Sequence, residues 1–161
     1  MAHWKAAKYT VERPLHLGAA IAGAEPAVYA GYTAYGLPLG EAFQLRDDVL
    51  GVFGDPSVTG KPAGDDLREG KRTALVATAL SHATPVQAEL VRRHLGDASL
   101  DAAGVDALRE VLVETGAVDR VEAMIDERTE QALAALDRTP LAEEARVVLG
   151  ELATAATARA R

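Results

Sequence analysis

Val118, Val121, Ile125, Ala132, Leu133 and Leu136 recur at helical spacing through residues 118–137. A period of about 3.6 residues gathers such positions into one apolar stripe, which a strand would scatter over both faces. Residues 140–157 repeat the pattern with Leu141, Ala145, Val148, Leu149 and Leu152, and 101–115 with Val105, Leu108 and Leu112. No long run alternates with a period of two, so the chain reads as all-α, a helical bundle.

Punctuation residues divide the remainder. An early helix is expected over 11–23, with Pro14 tolerated near its start, and a second, short one over 27–35. Pro38 suits the first turn of a third helix running to about Phe53, which Gly54-Asp55-Pro56 stops. Residues 54–66, GDPSVTGKPAGDD, read as a loop. Helices are expected over 72–83 and 85–95, the second opened by Thr84 as N-cap and Pro85 at the first helical position. The charges of the later helices, among them Asp119, Arg120, Glu122, Asp126, Glu127 and Arg128, read as solvent faces. His3, His16, His82 and His94 are scattered and receive no functional role.

At 161 residues the chain suits a single domain, 1–161, with a core built mainly from Leu, Val and Ala. A net charge of −7 argues against nucleic acid as a partner. The absence of cysteine excludes disulfides, thiolate metal sites and a Cys nucleophile. The uncharged stretch Pro26–Gly40 is too short to span a bilayer, so no transmembrane segment is expected. The first residues hold no apolar signal core, and a cytoplasmic location is the expectation.

The chemistry concentrates in FQLRDDVLGVFGDPSVTGKPAGDDLREGKRT, residues 43–73. Gln44, Asp47 and Asp48 lie three and four positions apart, on roughly one helix face. Adjacent aspartates splay by ~100°, so the two do not naturally grip one small ion. Carboxylates without Cys or His nearby suit Mg²⁺, which keeps waters and bridges to phosphate. Lys61 and Lys71, each after a glycine, supply point charges for phosphate oxygens. Bland readings stand beside this one. Asp47 could pair with Arg46 or Lys61, and Asp66 with Glu69 could form a capping box for a helix opening at Leu67.

This stretch resembles the second aspartate-rich region of the trans-type polyprenyl diphosphate synthases, in the order F-Q-x-x-D-D, G-D, G-K, D-L-x-E-G-K-x-T. It looks closest to actinobacterial geranylgeranyl diphosphate synthase-like members. KAAKYTVERPLHLGAAIAGA, residues 5–24, is similar to the lysine-bearing helix that precedes the region. The resemblance implies part of an isoprenoid synthase fold and Mg²⁺-dependent head-to-tail condensation of an allylic diphosphate with isopentenyl diphosphate. It makes Asp47 the metal carboxylate and Asp48 its supporting acid. Gln44 becomes the glutamine beside the diphosphate, and Lys5, Lys61 and Lys71 the diphosphate lysines; Lys5, Gln44 and Asp47 are then the catalytic set.

Two positions depart from the family pattern. Gly51 stands where D-D-x-x-D has its third acid, and Ala6 where a hydroxyl residue usually follows the lysine. The family's first aspartate-rich motif has no counterpart here, so the sequence reads as the C-terminal half of a synthase. It would work as a homodimer or with a complementary N-terminal half. The alternatives are a non-catalytic regulatory or docking subunit of such a synthase, and an inactive truncated fragment.

Overall fold

The computed structural model describes residues 7–60, 62 and 64–158, all helix, turn or loop. A π-helical turn, Lys8–Glu12, leads into α1 (Arg13–Ile21). Then follow α2 (Pro26–Phe53), α3 (Pro56–Thr59), α4 (Asp65–Arg68), α5 (Ala74–His82) and α6 (Pro85–His94). The last three are α7 (Ala102–Glu114), α8 (Ala117–Arg138) and α9 (Glu143–Thr157). The expected all-α class holds. No described helix is long and apolar enough to cross a membrane.

Pro38 does not open a helix; it sits inside α2, which is one continuous element of 28 residues. Proline removes one N–H and disfavours helix at the residue before it. The deprived carbonyl is that of Ala34, one turn earlier, and Ala34 is exposed, so water can take the lost bond. The expected loop at 54–66 contains the two short helices α3 and α4. Asp55 caps α3, its carboxylate accepting from Ser57 N at 2.8 Å and Ser57 Oγ at 2.7 Å. Those bonds hold its carboxyl below the ordinary aspartate range. Thr84 caps α6 as the sequence indicates, with Gln87 completing a capping box and Pro85 at the first helical position.

The residues group into two compact units. One comprises residues up to Gln44 and from Met124 onward. Its core joins Tyr35 and Leu39 of α2 to Ala132, Ala135 and Leu136 of α8 and Ala153 of α9. The Tyr35 hydroxyl donates to the Leu149 carbonyl at 2.8 Å, and burial pushes its pKa from 10.0 up to about 12. Between these two values the unfolded chain releases the phenol proton while the folded chain keeps it. Stability therefore falls as pH rises from 10 toward about 12, by up to about 2–3 kcal/mol. Tyr35→Phe is expected to flatten that alkaline decline while costing about 1 kcal/mol at neutral pH for the lost hydrogen bond. Urea melts at a series of pH values check both.

The other unit runs from Leu45 to Ala123. Within it α5, α6 and α7 pack on one another, and Leu75, Ala79, Leu108, Leu112 and Val121 are almost wholly buried. Arg109 of α7 donates from Nε and Nη2 to the Val52 carbonyl, at 2.9 and 2.6 Å, and lies over the Phe53 ring. A cation there satisfies an end carbonyl of α2 and complements the negative end of the helix dipole.

Two of the charges read as solvent-facing are not free of the fold. Glu122 forms a two-pronged ion pair with Arg46 inside the second unit, and Arg128 pairs with Glu41 at 2.8 Å inside the first. Asp119, Arg120, Asp126 and Glu127 are exposed as expected. Helical period assigns a residue to a face but does not say whether a partner waits there.

Candidate diphosphate and metal site

The second half of α2 buries a stripe of Leu45, Arg46, Asp48, Val49 and Val52 and leaves Asp47 exposed. The two adjacent acids are thereby separated. Asp47 offers its carboxylate outward, while Asp48 is only 5% exposed. Gln44, half-buried, precedes Asp47 by one turn of the same helix. Phe43 beside it is 40% exposed. Arg46 is not available to Asp47. Its guanidinium grips Glu122 from Nη1 at 2.6 Å and Nη2 at 2.8 Å.

Beyond the loop, Asp66 is not the capping residue that its spacing to Glu69 suggests. Gly64 occupies the N-cap of α4, and Asp66, 4% exposed, lies in the first turn. Its carboxylate receives Lys71 Nζ in a short ion pair, and Glu69 takes the same ammonium at 3.2 Å. The bond to Asp66, foremost, raises the Lys71 pKa, so the charge is secure at neutral pH. An ammonium has three donors. Two of them are directed, among the described residues, at Asp66 and Glu69. Lys71 precedes Thr73, the N-cap of α5, and is about two-fifths exposed. Lys5 and Lys61 lie outside the described residues.

Asp66 is the residue that motif reasoning missed. A Cβ placed on Gly51 would lie under 3.0 Å from its Oδ2 and Cγ. The place where a third motif acid would begin, one turn beyond Asp47 and Asp48, thus already holds a carboxylate that comes from α4. The legible signal was the coincidence of a glycine at the motif's fifth position with a second Asp pair ahead of Glu-Gly-Lys.

Among the described residues no three His, Asp or Glu side chains stand ready as a metal cage. Mg²⁺ seldom takes an all-protein cage and binds through one or two carboxylates, waters and substrate phosphates. Asp47, with hard oxygens open to solvent, fits such a share. Asp48 and Asp66 are buried and do not share that exposure.

A sequence profile of the family described as polyprenyl synthetase matches residues 1–112. This chain belongs to the polyprenyl synthetase family. It is 38% identical over 120 residues to the geranylgeranyl diphosphate synthase of Mycobacterium tuberculosis, covering 74% of this chain and 34% of that protein. It is 38% identical over 133 residues to the geranylfarnesyl diphosphate synthase of Aeropyrum pernix, covering 81% and 40%. The crystal structure of Corynebacterium glutamicum geranylgeranyl pyrophosphate synthase, complexed with isoprenyl diphosphate and magnesium, superposes with a TM-score of 0.91 at 47% identity. That match covers 94% of this chain and 43% of the other. The fold is therefore part of the one those synthases share, and the chain spans less than half the length of these relatives.

Proposed function

We propose that this chain provides the diphosphate-binding side of a trans-polyprenyl diphosphate synthase. The observation that carries the reading is the outward carboxylate of Asp47, with Gln44 one turn before it, in a backbone that superposes on a synthase complexed with isoprenyl diphosphate and magnesium. In this reading the C–O bond of an allylic diphosphate breaks, and both electrons leave with the diphosphate. The allylic cation then forms a carbon–carbon bond with isopentenyl diphosphate, and a proton is lost to restore the double bond.

Bound Mg²⁺ would neutralise the charge that builds on the departing diphosphate. Asp47 would hold that ion, Gln44 would hydrogen-bond the diphosphate, and the third donor of Lys71 would meet one of its oxygens. Lys5 and Lys61 join as further cations by their motif positions. Charges fixed in advance where the leaving group gathers its own usually supply most of the acceleration in chemistry of this kind. No side-chain nucleophile is required. The remainder of the family's length is proposed to supply the other carboxylates and the isopentenyl site, as a complementary segment.

Titration calorimetry with geranyl diphosphate, with and without Mg²⁺, tests the reading. Mg²⁺-dependent binding is expected, and Asp47→Ala should weaken it by roughly 10–100-fold or more, since even outer-shell changes have that effect at metal sites. Binding that ignores Mg²⁺ or survives Asp47→Ala unchanged would favour a docking subunit over a substrate site. Turnover is expected only when a complementary N-terminal half of a related synthase is supplied.

A further inference from the structure

We infer that the Arg46–Glu122 pair is a positioning device that trims the rotation of α2 about its own axis and so sets the aim of the outward Asp47 carboxylate. The guanidinium, 5% exposed, meets the carboxylate through two parallel bonds of 2.6 and 2.8 Å. Glu122 lies on α8, beyond residues 1–112 where the family profile matches, so nothing in the motif itself points to it.

At ~100° per residue around the helix, Arg46 projects ~100° from Asp47 and ~160° from Asp48. The fork therefore grips the helix on the side nearly opposite Asp48. The other side chains of the buried stripe in this unit are the apolar Leu45, Val49 and Val52 and the acid Asp48, and at the helix end Arg109 holds the Val52 carbonyl. Apolar contact is non-directional and tolerates a helix turning by a few tens of degrees. Asp48 sits at the edge of that stripe, so a turn of that size would carry it toward water and re-aim Asp47.

A planar fork does not tolerate it, because both of its bonds need the guanidinium and the carboxylate coplanar. As a stabiliser, a buried ion pair does no better than apolar side chains of equal volume; its distinctive contribution is direction. The inference rests on the proposed function only for what the aim of Asp47 serves.

The test uses the full chain with Arg46→Met and Glu122→Leu combined, which exchanges the pair for apolar volume. A neutral paramagnetic agent read by NMR reports the solvent exposure of the Asp47 and Asp48 methylenes. The wild type should show strong broadening at Asp47 and little at Asp48. The double variant should remain folded, with that contrast narrowed and Mg²⁺-dependent affinity for inorganic pyrophosphate reduced about tenfold. An unchanged contrast in a folded double variant overturns the inference and leaves the pair a stabiliser only. Should the double variant unfold, Arg46→Lys decides the matter: it keeps the charge and loses the fork, and is expected to narrow the contrast in the same way. If the wild type shows the contrast but binds no pyrophosphate, the proposed function fails while the contrast still judges the pair.

Discussion

Gly51→Asp, which writes an uninterrupted D-D-x-x-D into α2, is expected to damage the protein rather than complete its site. The new Cβ would lie under 3.0 Å from the Asp66 carboxylate, itself 4% exposed and held by Lys71. Overpacking of this kind costs about 1–3 kcal/mol, and a second carboxylate forced beside a buried one adds like-charge repulsion. The combined loss should reach about 3–5 kcal/mol, a drop in melting temperature of roughly 10 °C or more. Gly51→Ala carries only the steric part and should lose less. Gly51→Asp combined with Asp66→Ala moves the carboxylate from one backbone to the other, and should recover part of the loss. Thermal melts of the three variants check the ordering. A Gly51→Asp protein that melts like the wild type would show that Asp66 does not fill this place.

Gly40→Val is expected to lift the N-terminal segment from α2. A Cβ at position 40 would lie under 3.0 Å from Ala7 Cα, a backbone atom that no rotamer change can move aside. Ala7 is 1% exposed, and the π-helical turn Lys8–Glu12 follows it directly. In an open helix interior, replacing glycine gains a few tenths of a kcal/mol in propensity. Here the clash outweighs that gain, for a net loss of about 2–3 kcal/mol. Hydrogen exchange separates the two contributions. Amides of residues 8–13 should exchange much faster in Gly40→Val, while those of α5 and α7 in the other unit should change little. Unchanged protection at 8–13 would mean that the close approach is not needed to seat the segment.

The apolar period determined the helices from α7 to α9, because each carries its stripe locally. Thr84-Pro85 fixed one boundary for the same reason. The family, too, was legible, since F-Q-x-x-D-D followed by Glu-Gly-Lys is a matter of order along the chain. Pro38 misled because proline's penalty depends on whether the deprived carbonyl can reach water, which is a property of the folded surface.

Everything that distinguishes Asp47 from Asp48 was decided by tertiary structure. The sequence shows two identical acids side by side, and only the burial of one helix face separates them. The same holds for Gly51, which in the motif is a missing acid and in the fold is the space that the Asp66 carboxylate occupies. Glu122 looked like one more surface charge until α8 brought it against Arg46. Periodicity and motifs are local and are written in the chain. Which charges meet depends on contacts between residues far apart in sequence, 76 positions for Arg46 and Glu122, and those exist only once the helices have packed.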